Sequence, residues 1–169
     1  MAFTITNTRL GMQPIAVTET TRQHPLGTVV TANDPVYLGG EFIYLLGAAS
    51  TVAGLAYSYN ATTFQTTVLP STANLATPVA WAMSANVAAQ FGWYQIGGLH
   101  PALKSAVKSD PAVNANRLYI SATVGRVMQT SAAGKCILGA SRANLTTVTS
   151  TTSTTIISMN RPAVQGPIT

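Results

Sequence analysis

Charged residues are scarce in this chain, and over a long central stretch they are absent. Between residues 42 and 103 the sequence contains no Asp, Glu, Lys or Arg, and only 8% of the whole chain is charged. An ordinary soluble domain carries about 25% charged residues, which keep its surface hydrated and apart from other molecules. The scarcity predicts that much of the surface is covered by a membrane, a fibre or a large assembly.

Cysteine, acidic residues and histidine are also few. Cys136 is the single cysteine, which excludes an internal disulfide framework and a metal site built from cysteines. No pair among the four acidic residues and two histidines has a spacing suited to acid–base catalysis. Both histidines, His24 and His100, precede proline, so we expect them in extended or turn segments. We therefore predict no catalytic function, no cofactor and no metal.

A membrane-spanning helix is not predicted either. The best candidate, residues 42–59, is interrupted by glycine and serine, and its continuous apolar character ends at Leu46. A span needs about 20 mostly apolar residues. The first residues, MAFTIT, have no basic region followed by an apolar stretch, as a secretory signal would. We expect synthesis in a cytoplasm and no membrane partner.

The positive charge is concentrated in one part of the chain. The net charge is +5, and residues 104–142 hold six basic residues against one acid, Asp110. These residues are widely spaced and lie in no nucleic-acid-binding motif, so the pattern favours contacts with a protein partner over direct binding of nucleic acid. The basic residues predicted to contribute to an interaction surface are Arg9, Arg22, Lys104, Lys108, Arg117 and Arg126.

Short apolar segments at fairly even spacing, separated by glycine-containing turns, predict a mainly β protein. Such spacing is typical of a sandwich or barrel, and we expect one β-sandwich or jelly-roll-like domain over residues 36–169. Closely spaced proline and glycine in residues 1–35 predict an extended N-terminal arm, and the alternative for this segment is an ordinary edge strand with loops. A helix is plausible only at residues 84–90 and near 101–107. The predicted strands are 40–46, 52–59, 64–69, 79–83, 91–96 (ended by Gly97-Gly98), 118–123, 126–128, 136–138 and 154–159 (ended by Arg161-Pro162).

Four segments resemble small head proteins of tailed bacteriophages. They are GGEFIYLLG at 39–47, AQFGWYQIGG at 89–98, YISATVGRV at 119–127 and ISMNRP at 157–162, and the likeness extends over residues 36–165. The resemblance is to capsid decoration, or cement, proteins. It implies a structural protein on the outer face of the virion. Such a protein is assembled in the bacterial host cytoplasm and binds across neighbouring major capsid subunits. The family has no catalytic motif from which residue roles could be transferred.

Multivalent attachment to a shell further predicts a homo-oligomer, a trimer or a dimer. One alternative is a receptor- or glycan-binding module, in which Trp81, Trp93, Tyr94 and Tyr57 would form a sugar-stacking platform. The same aromatic residues are more often core residues. The alternation of large and small residues at 79–83 places Trp81 with Val79 and Met83 on one bulky face. A hydrolase is disfavoured by the scarcity of histidine and acidic residues.

Overall fold

The computed structural model describes residues 4–5, 13–104, 116–143 and 153–167, and the part of the chain that it describes contains no α-helix. The predicted mainly-β fold is confirmed. The strands are β1 (Thr4–Ile5), β2 (Val29–Asp34), β3 (Leu38–Leu46), β4 (Ala56–Tyr59), β5 (Thr66–Val68), β6 (Val79–Ala82), β7 (Phe91–Leu103), β8 (Arg117–Ile120), β9 (Val127–Met128), β10 (Cys136–Arg142) and β11 (Thr154–Val164).

These strands form one curled, branched antiparallel sheet. Its main path runs β1-β2-β3-β7-β11-β10-β8-β9, and β6, which also pairs with β7, carries β4 and then β5. A bridge between Leu46 and Gln65 joins β3 to the residue before β5, and a bridge between Lys104 and Val127 joins the end of β7 to β9. The pairings therefore close into two rings of strands that share β7: the first ring is β3-β7-β6-β4-β5, and the second ring is β7-β11-β10-β8-β9. The predicted sandwich or jelly-roll arrangement is not confirmed.

Three apolar clusters fill this sheet. One is drawn from the strands of the first ring and contains Tyr57 and Tyr94, and another, centred on the second ring, contains Trp81 and Ile157. The third lies on the opposite face of the β3–β7 pair. Along β3, Phe42 and Tyr44 belong to the third cluster, whereas Ile43 and Leu45 belong to the apolar cluster of the first ring. Because this strand is buried on both faces, its sequence is a continuous apolar run rather than an alternating one.

Two strands continue past the residues predicted to end them. β7 runs through Gly97-Gly98, where its pairing passes from β3 to β11. Gly98 has a φ of +92°, and a Cβ there would collide with the carbonyl oxygen of Gly39. The glycine therefore permits the close approach of β7 to β3 at this point, and it does not end the strand. β11 likewise continues through Arg161-Pro162 to Val164, past a register shift opposite Gly139. Proline is tolerated at such an irregularity because no regular ladder hydrogen bond is lost.

The helix predicted at residues 84–90 is wrong. The segment is a turn, in which the Gln90 amide donates to the Val87 carbonyl and the Gln90 side-chain oxygen accepts from the Val87 amide. Ala89 has a positive φ of 63°, which a helix excludes. In the second candidate helix, residues 101–103 form the end of β7, and residues 105–107 lie outside the described ranges.

The N-terminal arm is not confirmed. Val29–Asp34 pairs along its whole length with β3. Ile15 and Val30 are each only 2% exposed, and they pack in the third cluster with Trp93. Residues 13–34 therefore supply part of the core and cover one face of the β3–β7 pair.

Candidate interaction surfaces

The hairpin between β2 and β3 presents two large apolar side chains to solvent. Val36 is 72% exposed and Leu38 is 65% exposed. The tip is held by Asp34, whose Oδ1 accepts hydrogen bonds from the amides of Val36 at 2.8 Å and Tyr37 at 2.9 Å. Aspartate at the first position and Pro35 at the second are the residues that such a turn favours. The two apolar side chains are thus displayed on an ordered turn.

Leu38 also adopts a backbone conformation that leucine disfavours. Its φ is +59°, in the left-handed region that glycine and asparagine occupy at the end of such hairpin turns. A non-glycine residue there costs roughly 1–2 kcal/mol. Neither folding nor solubility benefits from an exposed, strained leucine, and strained residues concentrate at functional positions. The sequence signal was the run Val36-Tyr37-Leu38 directly after Asp34-Pro35, where a turn is normally polar.

The structure brings two of the predicted basic residues, Lys104 and Arg126, together, but it does not make an open basic surface of them. Arg22 and Arg117 are exposed, and Arg126 is half-buried with its Nη1 donating to the Lys104 carbonyl at 2.8 Å. Lys104 is only 3% exposed, and burial lowers the pKa of its ammonium group. Its side chain is therefore not part of an open basic surface. Arg9 and Lys108 lie outside the described residues.

The proposed sugar-stacking platform does not exist on this surface. Trp81, Trp93, Tyr94 and Tyr57 are all fully buried. Trp81 shares the second ring's cluster with Val79, as predicted, but Met83 packs in the third cluster beside Trp93. A saccharide cannot reach any of these four aromatic rings, which are core residues.

His100 is fully buried close to the bulge of β7, which lies at Ile96, where the register of pairing with β3 shifts. Its Nδ1 lies 2.8 Å from Gln95 Oε1, and burial lowers its pKa to about 3. Gln95 Nε2 donates to the carbonyl oxygens of Gly97 and Leu99, so its other amide atom, the oxygen, faces the imidazole. His100 Nδ1 therefore carries the hydrogen, and Nε2 is an acceptor that has no partner among the described residues. The site is closed to solvent and positions a strand irregularity.

No cluster of metal-binding side chains is found among residues 13–104, 116–143 and 153–167. The same ranges hold no helix long and apolar enough to cross a bilayer. No protein-family model, no curated protein and no solved structure matches this chain.

Proposed function

We propose that this chain is a structural protein that attaches to the outer face of a tailed-phage head, across neighbouring major capsid subunits, and stabilises the shell. The observation that carries the proposal is the β2–β3 hairpin tip, where Val36 and the strained Leu38 stand exposed on a turn fixed by Asp34. The resemblance of residues 36–165 to decoration proteins supports it from the sequence.

The surroundings of the tip suit a docking contact. Glu41, three residues beyond Leu38, forms an exposed ion pair with Arg161, whose Nε lies 3.2 Å from Glu41 Oε2. An apolar contact bordered by polar groups is the usual arrangement of a protein interface. Residues 42–103, which follow this hairpin in sequence and include β4 to β7, contain no Asp, Glu, Lys or Arg, so little desolvation of ions would oppose burial of the surface they form.

A tip of two side chains is too small to hold the protein alone, since a stable interface buries about 1,200–2,000 Å². Repetition supplies the remainder. A homo-oligomer, a trimer or a dimer, would present two or three tips at once and gain affinity by effective concentration. The partners in this proposal are therefore the major capsid protein and further copies of this chain.

The test is attachment of the full chain to heads of the encoding phage that lack it. Bound and free protein are separated by sedimentation, and head disruption is followed on heating. We expect saturable binding and disruption at a higher temperature. Leu38→Asn should weaken attachment about tenfold or more, as the loss of one well-packed anchor does. Asparagine tolerates a positive φ, so the isolated variant should be at least as stable as the parent.

Leu138→Asn is the matched control, because Leu138 is similarly exposed, at 55%, but lies on β10. It should bind heads as the parent does. Absence of binding by the parent, or equal binding by Leu38→Asn, would contradict the proposal.

A further inference from the structure

An open cavity of about 360 Å³ lies on the β4–β5 hairpin, and none of the residues that line it belongs to the β2–β3 hairpin tip. Its walls come from the end of β4, the turn after it, β5 and the residue before Pro78. The lining residues are Ser58, Tyr59, Asn60, Thr63, Gln65, Thr67 and Thr77. Six of these seven have neutral hydrogen-bonding side chains that are not aromatic, and the seventh is a tyrosine.

The turn that forms one wall is tightly held. Asn60 Oδ1 accepts from the amides of Thr62 at 2.8 Å and Thr63 at 2.9 Å, and the Phe64 amide donates to the Asn60 carbonyl at 2.8 Å. On the other side, Gln65 Nε2 donates to the Gly47 carbonyl at 3.0 Å. The cavity is therefore preformed, as small-ligand sites usually are.

These bonds determine which polar atoms remain for a ligand. Because Asn60 uses its oxygen in the turn, its Nδ2 is the spare donor, and because Gln65 uses its nitrogen, its Oε1 is the spare acceptor. Thr77 Oγ1 is inaccessible to water and has no hydrogen-bond partner within the described part of the chain. Such an unpaired hydroxyl is unfavourable by about 1–3 kcal/mol, and a bound ligand could satisfy it if the Thr77 side chain rotated.

Tyr59 adds an aromatic surface to this polar set. Its side chain is half-buried against the apolar cluster that contains Tyr57 and Tyr94. Burial raises the pKa of its hydroxyl, and the positive charge of Arg161 opposes this only in part, so the hydroxyl stays protonated. A half-exposed tyrosine offers an apolar face and a hydrogen-bonding tip to the same ligand.

The absence of charge from the lining narrows the class of ligand. None of the seven lining residues is acidic, basic or histidine. Arg161, the cation that acts on Tyr59, is already paired with Glu41 Oε2 at 3.2 Å. A phosphate or carboxylate would therefore have to compete with Glu41 for its usual cation, and a divalent metal ion would lack carboxylate ligands in the lining. A polyhydroxylated neutral molecule needs mixed donors and acceptors and an apolar face, which is the combination present here.

We propose that this cavity binds a neutral saccharide. The inference goes beyond attachment to a shell, because it assigns a second, separate surface to recognition of carbohydrate. It also moves carbohydrate recognition from the four buried aromatic residues to Tyr59 and its polar neighbours.

In the experiment, the full-length protein is titrated with glucose, galactose, mannose and N-acetylglucosamine. Binding is followed by the amide chemical shifts in NMR spectra and by the heat of binding in calorimetry. Glucose 6-phosphate, galacturonate and trialanine serve as charged and peptide probes. We expect at least one neutral sugar to bind at millimolar concentration, with shifts centred on Tyr59 and Thr77. Failure of all four neutral sugars, or preference for a charged probe or the peptide, would overturn the proposal.

Variants then locate the site. Thr77→Val replaces an unpaired buried hydroxyl by a methyl group, so the free protein should be as stable or more stable. Its affinity for the sugar should fall about fivefold to tenfold, the worth of one good hydrogen bond. Thr62→Val, in the same turn but not in the lining, is the control and should bind as the parent does.

If Thr77→Val does not fold, Ser58→Ala takes its place, because Ser58 makes only a long 3.3 Å bond to the Thr67 carbonyl. Unchanged sugar affinity in the folded lining variant would overturn the assignment. Attachment of the same variants to phage heads, measured separately, should be unchanged, so failure here and failure of shell binding are distinguishable.

Discussion

Gln95 Oε1 accepts a hydrogen bond from His100 Nδ1 at 2.8 Å, inside the protein and across the bulge of β7. The same glutamine donates from its Nε2 to the carbonyl oxygens of Gly97 and Leu99. One buried amide thus orients the imidazole and supports the point where β7 changes partners.

The stability of the protein should decrease on acidification. The pKa of His100 is about 3 in the folded protein against 6.5 in the unfolded chain. Between these values the unfolded state binds more protons, so the free energy of unfolding falls as pH drops, with a slope approaching about 1.4 kcal/mol per pH unit. Urea unfolding between about pH 7 and pH 4.5 measures this. His100→Gln, which cannot titrate, should show a shallower pH profile, and an equal slope would contradict the assignment.

Gly98→Ala should be strongly destabilising, by roughly 2–4 kcal/mol, because it combines a positive φ with a backbone collision. Gly39→Ala provides the comparison. A Cβ there would meet only Asn33 Oδ1 at 3.4 Å, an ordinary contact. Thermal unfolding of both variants checks the prediction, and similar losses of stability in the two would show that Gly98 is not a sensitive position.

Trp81→Ala should lower the free energy of unfolding by about 3–5 kcal/mol, because the whole side chain is buried in the second ring's cluster. Val87→Ala, at a residue 46% exposed, should change it by less than about 0.5 kcal/mol. Denaturant titration with intrinsic fluorescence from the remaining tryptophan can follow both. A Trp81→Ala protein of parental stability would exclude the core role.

Ile15→Ala tests whether the N-terminal segment belongs to the core. Ile15 is 2% exposed, so we expect a loss of about 2–4 kcal/mol. Its neighbour Val17 is 38% exposed and should tolerate alanine. Deletion of residues 2–30 should then prevent folding, since it removes Ile15 and Val30 together. A truncated protein that is stable and unfolds cooperatively would instead support the hypothesis of an N-terminal arm.

The exposed arginines should contribute little to shell attachment. Arg22→Gln and Arg117→Gln each remove one solvent-exposed charge. An ion pair between such an exposed arginine and an acidic group of the shell would contribute about 0–1 kcal/mol to attachment. Raising salt to about 0.5 M should weaken attachment to heads without releasing the protein. Complete release would indicate binding of the kind made by phosphate-tracking proteins.

The strand segments could be predicted because short apolar runs bounded by glycine or turn residues are local signals. β3 and β6 were found nearly at their true limits for that reason. The extent of β7 and β11 was not, because glycine or proline ends a strand only when no neighbouring strand accommodates it, and that depends on distant residues. The burial of residues 13–34 and of Lys104 depends in the same way on the curled sheet. The exposure of Leu38 could have been suspected from the apolar turn, whereas the cavity at Tyr59 joins Thr77 to a hairpin ten or more residues earlier.

The sharing of β7 by two rings has a consequence for how the molecule opens. Neither ring can persist without β7, which pairs with β3 and β6 in one ring and with β11 in the other. We therefore expect the two rings to unfold together as one cooperative unit. Amide hydrogens in the middle of β7 should exchange with solvent only when the entire molecule unfolds, while those of the peripheral strands β5 and β9 exchange through smaller openings. Because β3 and β11 lie far from β7 in sequence and only β6 is close, we also expect the formation of these pairings to slow folding.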